Sequence, residues 1–307
     1  TWLSMNGIYT FSKDEDDLTT SGGGSFTATF EHGKKTLGLF FMAEHYSKGF
    51  QLDTGFYQRT GISRFVGYIG PQFYPKDSKK SLVKQFNPFV YGQVIRDNRT
   101  KEFDYLLFPS LRFFFSRQGN FRVDYRFISE FWAGQHFKQN ELYMSGSSQF
   151  AKWLSGNISL RYGKRLLYDE EDPMTGNRLR LQLNARIQPG EKLHQDLGYT
   201  HESFTAGDGE TVYDLDILFS RTTFQINKYL FFRALIQYDA YSKVVLTDLL
   251  GSFTLIPGTV IYAGYGSLHQ KQYWNGIDGE WDVGHSMGKY YQHTRSFFFK
   301  ASYNYRF

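Results

Sequence analysis

Arg178-Leu179-Arg180-Leu181-Gln182-Leu183-Asn184-Ala185-Arg186-Ile187-Gln188 alternates without a break, with aliphatic side chains at every odd position and polar ones at every even position. On a helix, at about 100° per residue, both sets would spread round the cylinder. On a strand they form two clean faces. The same period of two recurs outward from this stretch. Phe121, Val123, Tyr125, Phe127 and Phe131 alternate with Arg122, Asp124, Arg126 and Glu130. Leu230, Phe232, Ala234, Ile236, Tyr238 and Ala240 alternate with Arg233, Gln237 and Asp239. Tyr213, Leu215, Ile217 and Phe219 alternate with Asp214, Asp216 and Ser220, which places the acidic pair on the polar side.

Alternation also fits a soluble sandwich, so length and punctuation have to decide. The alternating runs reach about 10–15 residues, against about 5–6 in soluble sheets. Candidate strands cover 1–11, 24–32, 36–47, 60–73, 83–97, 101–115, 120–133, 138–152, 154–168, 177–188, 192–203, 211–226, 229–242, 246–256, 259–271 and 294–307. That makes sixteen, an even number, as in bacterial outer-membrane barrels. Their connections are expected to alternate strictly: long at 12–23, 48–59, 169–176, 204–210 and 272–293, short at 32–35, 118–119, 189–190, 227–228 and 257–258. Outer-membrane barrels have long extracellular loops and short periplasmic turns. Only the stretch 74–82 is longer than this rule predicts. The expected fold is an all-β antiparallel transmembrane barrel, 1–307 forming one domain with both termini periplasmic.

Composition agrees. The 307 residues are 19% aromatic and contain no Cys, and mean hydropathy is −0.47. No stretch approaches the ~18–20 apolar residues of a spanning helix. The absence of Cys excludes disulfides, thiolate metal sites and a Cys nucleophile. A net charge of +5 with no basic block excludes a nucleic-acid partner. The chain ends Phe297-Phe298-Phe299 … Tyr303-Asn304-Tyr305-Arg306-Phe307, with aromatic or apolar residues at every odd position. Tyr303, Tyr305 and Phe307 resemble the terminal-strand signal read by the outer-membrane barrel assembly machinery.

Four runs carry a resemblance: Asp53-Thr54-Gly55 through Arg64, Arg233 through Asp239, Pro257-Gly258-Thr259 through Tyr265, and Thr294 through Phe307. In this order and spacing they resemble the C-terminal barrel of an uncharacterised bacterial outer-membrane family, whose members carry an N-terminal carbohydrate-binding (family 9-like) domain. The resemblance covers roughly 50–307. It implies location in the bacterial outer membrane, contact with bilayer and lipopolysaccharide, and saccharides as a solute class. It supplies no activity and no catalytic residues. Family members have further strands ahead of the matching region, which makes sixteen a lower bound.

The expected lumen-facing charges include Arg122, Asp124, Arg126, Glu130, Arg178, Arg180, Arg186 and Arg233. They either make an electropositive channel or satisfy one another across neighbouring strands. In 272–293, Tyr273, Trp274, Asp278, Glu280, Trp281 and Asp282 combine aromatic faces with carboxylates, a set suited to stacking and hydrogen-bonding a sugar. The acidic runs Asp14–Asp17 and Asp169–Asp172 could hold hard cations, but a solvated loop is the plainer reading. No Gly-x-Ser-x-Gly, His-Glu-x-x-His or P-loop occurs. His201 with Ser203 and His285 with Ser286 are neighbours in sequence only, so no enzyme, cofactor or metal is expected. A rim hydrolase would need a Ser/His/Asp set converging above the membrane. The leading function is a channel or transporter-like pore. The alternative is a non-conducting barrel that anchors a domain or encloses a periplasmic or surface partner subunit.

Overall fold

The structure, a computed structural model, describes residues 1–13, 20–51, 59–77, 79–256, 258–275, 280–283 and 288–303. It is all-β, with no helix among the described residues. The strands are β1 (Trp2–Lys13), β2 (Thr20–Lys34), β3 (Leu37–Tyr46), β4 (Ile62–Pro71), β5 (Val83–Asp97), β6 (Phe103–Phe115), β7 (Asn120–Trp132), β8 (Gln135–Ala151), β9 (Leu154–Leu167), β10 (Met174–Ile187), β11 (Leu193–Ala206), β12 (Thr211–Gln225), β13 (Leu230–Asp239), β14 (Val244–Ile256), β15 (Thr259–Asn275), β16 (Glu280–Val283) and β17 (Lys289–Tyr303). Sixteen are long and antiparallel, the number expected from the alternation; β16 is a four-residue addition on the tip of β15.

The chain divides into two compact units, residues 1–144 with 161–177, and residues 145–160 with 178–307. In the first unit β1 to β7 form a meander in which each strand pairs with the next. In the second, β11 to β15 do the same, and β15 then pairs with β16 and β17. Local chemistry sets the turns. Ala133 and Gly134 join β7 to β8 with φ of 47° and 83°, the left-handed pair of a two-residue hairpin turn. Asn227 Oδ1 accepts the amides of Tyr229 and Leu230 at 2.8 and 3.0 Å, which fixes the β12–β13 turn.

Register sorts the side chains into two faces within each unit. In the first, one face aligns Ala43, Phe65, Val94 and Tyr105 across β3 to β6, and the other aligns Glu44 with Arg64 and Ser110 with Asp124. In the second, one face aligns Ala234, Leu249, Tyr265 and Phe297, and the other aligns Asp196 with Arg221. Burial is inverted relative to a soluble sandwich. Asp124 and Glu141 on the polar face are each 2% exposed, whereas Phe65, Leu218 and Ile236 on the apolar face are 51%, 52% and 48% exposed. A water-soluble sheet hides its hydrocarbon and leaves its charges wet; this one does the reverse.

Three expectations need correction. Connection length does not alternate strictly. The β7–β8 connection, expected long, is only Ala133-Gly134, while the stretch already noted as too long for its side runs to eleven residues, 72–82. Length expected in loops is spent on strand, as in the 17-residue β8 and β15, because alternation continues into the hairpin tips. The final strand likewise begins at Lys289 rather than 294. Finally, the register of β12 with β11 puts Tyr213, Leu215, Ile217 and Phe219 on the polar face, level with Phe204, Glu202, Thr200 and Gly198. Asp214 and Asp216 lie on the apolar face. In 213–220, where both sets contain hydrocarbon or carboxylate near a hairpin tip, alternation identifies two faces without saying which is which.

Proline interrupts the first unit. The β6–β7 ladder passes from Leu107↔Phe127 to Ser110↔Asp124 and skips Phe108 and Pro109. Pro71, Pro88 and Pro109 line one hollow on this part of the sheet. Asn87, 3% exposed, donates its side-chain amide to the Pro71 carbonyl at 2.8 Å and so replaces a missing ladder bond.

Candidate functional site

Even-numbered residues of β7 carry the chemistry of the polar face. Arg122 Nε lies 2.7 Å from Asp124 Oδ1, and Arg126 Nε lies 2.8 Å from Asp124 Oδ2. Arg126 also reaches Glu141 of β8 at 3.3 Å, and Arg165 of β9 approaches the same carboxylate at 3.9 Å. Two buried carboxylates thus sit among three guanidiniums. Aromatic rings layer this network. Arg122 stands over Phe89, Phe108 and Tyr143 at 5.1–5.4 Å, and Arg126 over Tyr143 at 4.6 Å. Arg161 joins from β9, 5.2 Å from the Tyr143 ring. Guanidiniums over ring faces recover from the quadrupole part of what burial costs them in hydration.

Beside this network a hollow of about 360 Å³ opens, lined among others by Arg59, Gln93, Arg126, Glu130, Arg161 and Arg165. Glu130, an expected lumen residue, accepts the Tyr168 hydroxyl at 2.7 Å and the Gln139 amide at 3.3 Å. Arg59 anchors one rim, 2.9 Å from both Asp97 and Asp104. Burial alone would raise the Asp97 carboxyl. The Arg59 guanidinium and the Arg99 and Thr100 amides outweigh it and hold the group at about 2. Four arginines and three carboxylates, Asp104, Glu130 and Glu141, line it, a concave surface of mixed charge that can hydrogen-bond hydroxyl-rich solutes.

The other four expected lumen charges also lie on the polar face. Arg178 and Arg180 share Glu202 at 2.9 and 3.4 Å. Arg186 pairs with Asp196 at 2.9 Å, and Arg233 approaches Asp248 at 3.7 Å. The sequence reading selected cations and missed most of their mates: Glu141, Asp196, Glu202 and Asp248 lie on neighbouring strands, and only register brings them in. Cross-strand neutralisation, one of the two readings left open, is what these distances describe.

The connection after β3 covers part of the same face. Phe50, 3% exposed, packs 5.7 Å from the Tyr46 ring. The backbone of Gly49 and Phe50 crosses so close to Gly23 that a Cβ there would meet it at 2.1–2.4 Å. Gly23 is therefore required by space.

The loop candidates are only partly placed. Tyr273 and Trp274 are exposed at the end of β15, opposite Asp282 and Trp281 of β16, with Glu280 opposite Asn275. Asp278 lies outside the described residues, as do Tyr305, Phe307 and the run Asp14–Asp17. Tyr303 ends β17 and is exposed. In the second acidic run, Asp169 Oδ1 is taken up by the Glu171 and Asp172 amides.

One cluster is absent from the sequence reading. His201 of β11 faces Asp216 of β12 directly, its Nδ1 3.0 Å from Asp216 Oδ1 and 3.5 Å from Asp214 Oδ1. Ser203 shares that face without a hydrogen bond to His201.

No protein-family model matches the chain. No curated protein matches it as a relative.

Proposed function

We propose that this chain forms the wall of an outer-membrane β-barrel that works as a pore, with saccharides as the solute class. The inverted burial carries the reading: charges such as Asp124 and Glu141 are hidden while Phe65, Leu218 and Ile236 are exposed. Bilayer hydrocarbon is the solvent in which such a face is stable. Strands of 10–17 residues exceed the roughly 9–11 needed to cross it, so the hairpin tips project into water. Hydrocarbon leaves no strand edge unpaired, so the reading requires closure of the sheet, including the edge of the fully exposed β17. The hollow lined by arginines and carboxylates supports entry of hydroxylated solutes. Saccharides in particular rest on the family resemblance.

A second reading, a non-conducting barrel that anchors a domain or encloses a partner, draws support from two features. The polar-face charges largely neutralise one another. The Gly49–Phe50 segment also folds across that face. Conductance of the purified protein in planar bilayers, with folding checked by heat-modifiability on gels, separates the two. Stable steps of nanosiemens size that are blocked by added oligosaccharide are expected. A folded protein that inserts and stays silent removes the pore and leaves the scaffold.

A further inference from the structure

We infer that His201, Asp214 and Asp216 form a binding site for a divalent transition-metal ion on the β11–β12 hairpin. The ladder builds it. His201 and Asp216 are direct cross-strand partners and Asp214 sits opposite Ser203, so all three side chains leave the same face near the hairpin tip. The imidazole Nδ1 and one oxygen of each carboxylate lie within 4.8 Å of one another. Two donors each about 2.1 Å from a common ion are about 3.0–3.4 Å apart at octahedral to tetrahedral angles. His201 Nδ1 stands 3.0 and 3.5 Å from the two carboxylate oxygens. Those two separations suit a shared ion, and the two carboxylate oxygens, within 4.8 Å of each other, have only to swing together to close on it.

Charge points the same way. Asp124, Glu141, Asp196 and Glu202 on the polar face each have at least one arginine within 4.0 Å. Among the described residues, Asp214 and Asp216 have no lysine or arginine partner; one imidazole is the only basic group beside them. They stand on the apolar face, out of register with the guanidiniums of the polar one. Two carboxylates held together around one imidazole carry negative charge that a cation offsets. The Tyr199 hydroxyl donates to Asp216 Oδ1 at 2.6 Å and orients that carboxylate, the usual task of a group behind a ligand.

The donor set selects the ion. Calcium and magnesium take oxygen ligands, whereas an imidazole with two carboxylates suits zinc, manganese, iron or cobalt. Three protein ligands leave positions open for water or an external ligand. Protons compete with the ion for the imidazole and the carboxylates, so affinity falls as the medium becomes acidic.

Zinc chloride is the probe, titrated calorimetrically into the folded protein in detergent, with cobalt absorption reporting geometry. One saturable site is expected. His201→Gln and Asp216→Asn should weaken it by at least about tenfold, and Tyr199→Phe by up to about tenfold. His136→Gln, at the separate Glu102 pair, should leave it intact. Heat-modifiability on gels checks that each variant is folded, and Asp214→Asn, at a side chain 59% exposed, gives a ligand variant with little structural risk. Wild-type protein that binds no more zinc than the His201→Gln/Asp214→Asn/Asp216→Asn protein would overturn the site and leave an ordinary His–Asp ion pair.

Discussion

Asp124 and Asp216 are both strand carboxylates, each within 3.0 Å of a basic nitrogen, yet they answer to opposite rules. Asp124 has no exposed side-chain surface and is held between two guanidiniums under aromatic rings. Asp216 is 43% exposed, on the apolar side of its hairpin, with an imidazole and a second carboxylate for company. In the first place charge is structural, because each buried ion has been given its mate. In the second the pairing leaves negative charge over, and what remains is available to a ligand. The difference shows that counting charges on a face says little until their partners are known.

The largest effect should come from Asp124→Asn. Removing one partner of a buried ion pair leaves an uncompensated charge, at about 3–5 kcal/mol. The low end applies because Arg126 keeps Glu141. Urea unfolding in vesicles should show that loss, while Asp216→Asn in the same assay should cost under about 1 kcal/mol. Equal costs at the two sites would erase the contrast.

Next is Ile236→Arg, on the apolar face and 48% exposed. Facing hydrocarbon it should destabilise the inserted protein by about 2–4 kcal/mol, depending on depth. Facing water, the same surface substitution would stay within about 0.5 kcal/mol. Refolding into vesicles decides which solvent that face meets.

The smallest effect concerns Asp97, the last residue of β5. Its carboxyl is held at about 2 against an ordinary 3.8. A depressed carboxyl contributes stability that is complete above the unfolded value and is lost as pH falls from about 4 toward 2. Arg59 is 41% exposed, and solvent screening limits the contribution to about 1 kcal/mol. Asp97→Asn should remove that acid-dependent increment, and unchanged pH profiles would show that Arg59 does not hold the carboxylate in solution.

Much of the fold was legible because strand periodicity is a local property. The alternation in 178–188 needs no knowledge of the neighbours, and the eight charges named as lumen candidates share the polar face, although Asp214 and Asp216, also expected on the polar side, do not. Their partners were not legible. Glu141 meets Arg126, and Glu202 meets Arg178, only through register, which is a relation between strands. The same limit hid the His201 cluster. In sequence His201 stands beside Ser203, whereas its closest polar contact is Asp216 on the next strand. The stretch 213–220 inverted for a related reason, since carboxylates near a hairpin tip need not face the polar side. Connection lengths were misjudged where alternation runs on to the turn, as at Ala133-Gly134.

The ladder gap at Phe108 and Pro109 has a mechanical consequence. Cross-strand hydrogen bonds stiffen a sheet against bending between strands, and a proline in an interior strand removes one such tie. Curvature concentrates where ties are missing. Pro109 thus sets a crease between β6 and β7, beside the stacked arginines, and any flexing of this wall should fold along it.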